Sequence, residues 1–547
     1  MSKKFTFKTL VLLLPFVATQ FVGSDSLWAG EFFCTSGNVT CLIAAINEAN
    51  GNGNGEENTI NLAAGTYIVT AVNNTEDGAN GLPSVTGNLA ITGEGSGTTI
   101  IRGTASVLVP FRIFHVAATG TLALDGLSIQ GGRVGFASAS EASRGAGIFA
   151  LGALTITNSM IGPNDTAGVG VGGTAVITNS TITGNHPGLI VEGTLTIDSS
   201  TISENHFASG SGGGIYLADG IVNVYNSTIR DNTTASQDGG GIRVDAGTMM
   251  TLINSTVTAN SSLFNAGGIA NGGTLTIVNS TVAGNFINPV SSGTAGISSG
   301  GTLLLQNTVL ASNGGVGGAT GRDCAGQVTS LGHNIIGTGC SNALQPSDLT
   351  GDPGLAADTE SFPRLVPDDG APGHGRLPLL PSSPAIDAGD DSACPATDQL
   401  GTPRRGTCDI GAVEFYPIVN DLVAVGSLST AFDATPVPGG PAGTFRMTAE
   451  FTNTSNQAIV NPFVEVVELT GGNLLLNADG GAGGVGARVT FSKSESTAFL
   501  PGATETFEFV IGLQKQEPFT FFVSLLGDLQ TSNSVVGLLR DARASNP

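Results

Sequence analysis

Positive charge is what this chain has least of. Its 547 residues hold 20 Lys and Arg against 43 Asp and Glu, and no lysine falls between Lys8 and Lys493. A formal net charge of −23 excludes the clustered basic surface that nucleic acids and anionic membranes require, and fits a solubilised, exported protein. Beyond the N-terminus no apolar run approaches the about 18 residues needed to cross a bilayer, which excludes a membrane span. Helical solenoids are built from Ala, Leu, Glu and Lys. This chain instead has 81 glycines and abundant Thr, Asn, Ser, Ile and Val, the composition of short strands joined by tight turns.

What is present is repetition. "GGTLTIVNSTVAGN", Gly272 to Asn285, has relatives ending at Asn164, Asn185, Asn205, Asn232, Asn260 and Asn313. Aligned on the first Asn of each copy they give Asn158, Asn179, Ser199, Asn226, Asn254, Asn279 and Asn307, in steps of 20 to 28 residues. A looser copy, "TLALDGLSIQGG", sets Gly126 in the same column. Such a period marks a solenoid, and a propeller blade would need about 40 residues. Within "TLTIV", Leu275 and Ile277 face one way and Thr274 and Thr276 the other. The expected fold is all-β: a right-handed parallel β-helix with an N-terminal helical cap, followed by a C-terminal β-sandwich. The recurring Asn column, Asn158, Asn179, Asn226, Asn254, Asn279 and Asn307, is read as left-handed corners whose amides form a ladder between coils. "NST" also spells a glycosylation sequon, but its tie to the repeat favours the structural reading.

Residues 1–29 read as a secretory signal peptide: three lysines, an apolar run from Leu10 to Val22, then small residues. Residues 30–88 are expected to hold the cap and first strands, 89–315 the repeats, 316–416 a closing module and 417–547 the sandwich. In the cap, "VTCLIAAINEAN" places Leu42, Ala45, Ile46 and Ala49 at helical spacing, with Thr40 as N-cap. Six cysteines lie as close pairs, Cys34/Cys41, Cys324/Cys340 and Cys394/Cys408. In an exported chain local disulfides are expected, and no CxxC spacing argues for zinc. Alternating segments after Tyr416 carry Phe451, Phe463, Phe507, Phe509, Phe519, Phe521 and Phe522 as an aromatic core for an Ig-like sandwich.

"CLIAAINEANGNGNGEENTINLAAGTYIV" resembles the N-terminal module, often spelled CSLREA, that opens many secreted bacterial β-helix proteins. "LGHNIIG", "DPGL", "LLPSSPAIDAGDD" and "TDQLGTPRRGTCDIGAVEF", between Leu331 and Phe415, resemble choice-of-anchor Q segments. The chain departs in "DQLG", where an Arg commonly follows DQ, and "LLRDARASNP" is polar rather than anchor-like. The resemblance implies a secreted or cell-surface right-handed β-helix and no particular activity.

The candidate chemistry is sparse. Glu204 and Asp231 share one slot on successive coils, which would set them about 5 Å apart, near the spacing of a retaining glycosidase pair. Arg230 and Arg243 lie nearby, as do Asp238 and Asp245, and His186 and His206 stack. "DDGAPGHGR" offers Asp368, Asp369 and Gly373-His374-Gly375, but such parts of a glycan hydrolase should come from separate coils. Asp387, Asp390 and Asp391, with Asp398, Asp409 and Glu414, surround Arg404 and Arg405; they fit a salt-bridged closing module or, alternatively, a Ca²⁺ site of carboxylates and carbonyls. No other cofactor is expected. The leading expectation is a monomeric, adhesin-like protein that binds an extracellular glycan or surface protein along the solenoid face without catalysis. A polysaccharide lyase or glycoside hydrolase with its groove at residues 204–245 stands as the alternative.

Overall fold

The structure is a computed structural model that describes residues 30–52, 55–106, 108–134, 145–235, 238–287, 293–315, 322–340, 344–356, 371–490 and 498–530. The expected signal peptide, Asp368 and Asp369 lie outside these residues. Parallel strands stack coil upon coil into two 12-stranded sheets, a 9-stranded sheet and a 5-stranded one. One coil shows the plan: Ile215–Leu217 in the third sheet, Ile221–Tyr225 in the first, Thr228–Arg230 in the second and Thr233–Thr234 in the fourth. Register is kept between coils, with Ile197 beside Val224 and Val224 beside Leu252. Alternation therefore stacks one inward column, in which Ile156, Ile177, Ile197, Val224, Leu252 and Ile277 are all fully buried.

The solenoid is longer at both ends than the repeat predicts. It starts with Glu31–Cys34, which pairs with Asn58–Leu62, and it runs on through Ile335–Ile336 to Leu349–Thr350. Strands of two residues carry no readable alternation, so their sequence looks like loop. The capping helix spans Val39–Gly51 and buries Leu42, Ala45, Ile46 and Ala49. Its N-cap is Asn38 rather than Thr40: the Asn38 Oδ1 accepts from the Cys41 N–H at 3.0 Å. Cys34–Cys41, Cys324–Cys340 and Cys394–Cys408 form the three disulfides.

The repeat's two asparagines have different jobs. The first column takes the left-handed corner, with φ from +43° to +49° at Asn158, Asn179, Ser199, Asn226, Asn254, Asn279 and Asn307, and +65° at Gly126. Its amide contacts are intermittent: Asn179 donates to Asn158 at 2.6 Å, Asn254 to Asn226 at 3.3 Å and Asn307 to Asn279 at 3.2 Å. The unbroken ladder is the second column, Asn164, Asn185, Asn205, Asn232, Asn260, Asn285 and Asn313. From Asn185 to Asn285 each Nδ2 donates to the next coil's Oδ1 at 2.9 or 3.0 Å. The same Oδ1 accepts a backbone N–H, as Asn260 does from Asn232 at 3.0 Å, and the Nδ2 also reaches a carbonyl of the preceding coil, as Asn232 does to Ile202 at 2.9 Å. The ladder thus sits inside the wall, because the corner geometry of the first Asn turns its side chain outward. Between the columns the Ser of "NS" adds another stack: the Ser200 N–H donates to Ser227 Oγ at 3.1 Å, and the Ser227 hydroxyl donates to the Tyr225 carbonyl.

Residues 371–416 do not close the end of the solenoid. They lie as a strap on the outer face of the second sheet. Thr228 Oγ1 donates to the Gly375 carbonyl at 2.6 Å, Thr256 Oγ1 donates to Gln399 Oε1 at 2.6 Å, and Asn307 Oδ1 accepts from the Asp390 N–H at 2.8 Å. The apolar part of this interface buries Leu377, Leu379 and Ile410 against Ala283, Ala311 and Ile335. The described residues of 423–530 fold as two antiparallel sheets around Phe451, Phe507 and Phe509, while Phe463 is buried on Tyr416 of the strap rather than in that core. Phe519 and Phe521 border that core, whereas Phe522 is 60% exposed and does not join it. Arg376 and Arg488 both donate to Glu465 Oε2 at 2.8 Å, joining strap to sandwich, and Arg405 pairs with Asp528. Among the described residues no helix is long and apolar enough to cross a membrane.

Truncating a mid-ladder amide leaves buried partners on both adjoining coils unsatisfied, at about 1–3 kcal/mol. Asn232→Ala should therefore lower the urea midpoint clearly, and Asn158→Ala, at an exposed corner, should lower it by a small fraction of that. Equal losses would show that the inner amides carry no more than the corners.

Candidate functional site

The structure separates the residues expected to form a groove site. Glu204 and Asp231 do occupy equivalent left-handed corners of adjacent coils, φ +56° and +54°, where the second sheet ends. Glu204 is exposed, and Asp231 Oδ2 accepts from its own neighbour Arg230 at 2.6 Å. Arg243 stands on a different wall, the third sheet, beside Tyr216 and Ala270. There Arg243 Nε donates to Asp245 Oδ1 at 2.7 Å and the Tyr216 hydroxyl donates to Asp245 Oδ2 at 2.9 Å. Burial and this bond push the Tyr216 hydroxyl up to about 12. Arg230–Asp231 and Arg243–Asp245 are thus local ion pairs on two faces, with Glu204 in neither, rather than one acid–base constellation. His186 and His206 meet edge to face at 5.9 Å. Burial, then the neighbouring His186, lowers His206, and its Nδ1 lies 2.6 Å from Thr233 Oγ1.

The Ca²⁺ alternative for Asp387, Asp390 and Asp391 is corrected by where these carboxylates point. Asp390 Oδ1 accepts from the Ser392 N–H and hydroxyl at 3.0 and 2.7 Å, and Asp391 Oδ1 accepts from the Cys408 N–H at 2.8 Å. Asp387 takes part through its N–H, which donates to Asp409 Oδ1 at 2.8 Å. The Asp390 and Asp391 carboxylates bond to separate partners, and among the described residues the three acids do not gather their ligand atoms in one group. The salt-bridged reading of this segment holds instead: Arg404 Nη1 donates to Glu414 Oε2 at 3.2 Å, with both side chains buried.

A site not foreseen in the sequence lies where strap, corner column and sandwich meet. A cleft of about 540 Å³ is lined by Asn179, Ser199, Asn226, His374, Gln399 and the Gly480–Gly481 turn, among others. Its floor is the corner between Asn179 and Asn226 where Ser199 interrupts the outer Asn column. With Ser199 in place of Asn, the next coil's amide has no side-chain carbonyl to meet: Asn226 Nδ2 donates to Asp198 Oδ1 at 2.9 Å instead, and so does the Ser199 hydroxyl at 3.1 Å. Asn179, half-buried, therefore donates upward to Asn158 while its own Oδ1 receives no amide from below. The strap forms the wall: Gln399 Nε2 holds the Gly373 and Gly375 carbonyls at 2.6 and 2.8 Å. His374, between them, overhangs the cleft, and a Cβ at Gly480 would stand 2.6 Å from its Nε2, so only glycine lets that turn approach. The Ser199 lapse was visible in the repeat; the long-range return of "GHG" to coils 199–228 was not.

Residues 113–287 match the family model described as "Right handed beta helix region", in agreement with the right-handed β-helix fold of the stacked parallel sheets. No curated protein matches the chain.

The strap carries a built-in pH dependence. Burial is the main influence on Asp409 and Glu414 and raises both above the ordinary carboxylate range, against the N–H donors and Arg404 that favour their charge. The folded state thus holds protons that the unfolded chain releases at about pH 4. This contribution to stability is fully present below that pH and is lost as pH rises through the elevated folded values. The melting temperature should fall between pH 5 and pH 8, with a shallower slope in Glu414→Gln. An unchanged slope would remove these carboxylates as its source.

Proposed function

We propose that the protein is a secreted or surface-associated, non-catalytic binding protein of the adhesin type whose ligand is a neutral glycan, held in the cleft at Ser199. The observation that carries this reading is the lapsed rung. Asn179 Oδ1 is a fixed, half-buried acceptor facing a cleft large enough for a sugar unit or two, and a sugar hydroxyl can make the bond that the next coil does not. Ser199, Thr178 and the Asn226 side chain add short polar groups, while His374 and Pro372 supply flat surface of the kind that packs on a pyranose face. A net charge of −23 disfavours polyanionic ligands. Three disulfides support an oxidising, extracytoplasmic setting. The pairing of Arg230 with Asp231 and of Arg243 with Asp245 speaks against the hydrolase alternative, which keeps only the adjacency of Glu204 and Asp231.

Wild type and Ser199→Asn should be compared on a panel of neutral and acidic polysaccharides, scoring retention and chain cleavage together. An Asn at position 199 suits the local φ of +47° and refills the rung, so it should preserve the melting temperature and lower retention at least ten-fold. Retention that ignores Ser199→Asn would move the ligand elsewhere on the solenoid. Cleavage by wild type that disappears in Glu204→Gln would replace the binding reading with an enzymatic one.

A further inference from the structure

The N-terminal end of the third sheet holds a cluster that the repeat does not explain. His115, in Phe114–Val116, is fully buried on the outer side of the sheet, stacked at 6.0 Å on Phe149 of the next coil. The turn at residues 73–84 lies across it. One ligand atom each from Glu76, Asp77 and His115 lie within 4.8 Å of one another, and His115 Nε2 is 3.3 Å from Asp77 Oδ2.

The surrounding hydrogen bonds fix which histidine nitrogen carries a proton. Asn74 Nδ2 donates to the Leu82 carbonyl at 3.0 Å, which sets the amide orientation and makes Asn74 Oδ1 an acceptor. That oxygen receives the Ser84 hydroxyl at 3.0 Å and Asn80 Nδ2 at 2.6 Å. The single Ser84 proton is thereby used, so Ser84 Oγ, 2.9 Å from His115 Nδ1, accepts from Nδ1–H. In the neutral imidazole the Nε2 lone pair then faces Asp77 Oδ2 at 3.3 Å, and Nε2 makes no aligned hydrogen bond. Two lone pairs opposed at that distance repel unless a cation lies between them. Asn80 Oδ1, on the same turn, is also buried without a hydrogen-bond partner.

We infer that Glu76, Asp77 and His115 Nε2 bind a divalent transition-metal ion of the zinc type, with Ser84 as the outer partner that orients the imidazole. One imidazole with two carboxylates suits Zn²⁺ and leaves a coordination position open. A histidine ligand commonly donates its other N–H to an oxygen in this way. The two acids balance the ion's charge. The site would tie the turn at 73–84 to the third sheet, a wall that the helical cap does not cover. The competing reading makes Asp77 only the counter-charge of Arg112, whose guanidinium lies 4.7 Å over the Phe149 ring; that arrangement takes up no metal.

The test is equilibrium dialysis of the chelator-stripped full-length chain against Zn²⁺. One ion per chain is expected, with binding at least ten-fold weaker in Glu76→Gln and in Asp77→Asn. Both replace exposed acids by their amides, so circular dichroism should show an intact fold. Ser84→Ala should weaken binding about 10–100-fold, and a matched concentration of Ca²⁺ should not displace the ion. His206→Gln, which removes the other histidine contact, should leave uptake unchanged. No Zn²⁺ uptake, or uptake that survives Asp77→Asn but fails in His206→Gln, overturns the assignment.

Discussion

The inner asparagine ladder sets the terms for the rest of the molecule. Its side-chain rungs are polarised: from Asn185 to Asn313 each Nδ2 donates one N–H onward to the next carboxamide or carboxylate oxygen, and each amide oxygen receives from the preceding rung. The chain of donors ends on the buried Asp323, whose Oδ1 takes both the Asn313 N–H and Nδ2 at 2.7 and 3.1 Å. The other carboxylate oxygen is held by the Thr338 N–H and hydroxyl at 2.8 and 3.1 Å. An Asn at position 323 could still accept from Asn313, but its Nδ2 would face the Thr338 N–H, donor against donor. The neighbouring Cys324–Cys340 bond closes the loop that presents the acid.

Because the ladder fixes register inside the wall, coil length can vary outside it. Coils around Asn179 are 20 or 21 residues long, and later ones run to 28. The added residues appear as the fourth sheet, which begins at His206–Phe207, and as loops before the third. Glycine pairs such as Gly267–Gly268 face the carbonyls of the coils beside them, where a Cβ would stand at 2.2 and 2.8 Å. The spacing between coils and the absence of side chains at these points are one constraint.

How much of this could be read from the sequence follows from range. The period, the inward Leu275 and Ile277, the helix over Leu42 to Ala49 and the solenoid class are local patterns, and local patterns survive in a string of letters. The repeat also held both asparagine columns, yet spacing alone could not rank them. Only the φ of the corner decides which Asn turns out and which turns in. Contacts more than a hundred residues apart were invisible: Thr228 to Gly375, Thr256 to Gln399, Asn254 to Arg404. So was the meeting of Asp77 with His115, which belongs to no repeat.

The position of the cleft follows from the same two columns. At Ser199 the outer column lapses, while the inner one passes the same coil without change, from Asn185 through Asn205 to Asn232. The coil therefore keeps its register and its core at the point where its surface changes from 20-residue to 27-residue spacing. A polar defect can be tolerated on the outer wall because no stacking across the core depends on it. The strap then converts the defect into a cavity. Gly373 donates its N–H to Thr201 Oγ1 at 2.8 Å and Gln399 clamps the carbonyls on either side of His374, so His374 lines the cleft beside the Gly480 turn. With lysine missing from the whole solenoid, the arginines that hold strap and sandwich in place, Arg376, Arg404, Arg405 and Arg488, carry the geometry of the cleft, and their forked donors fix angle as well as distance.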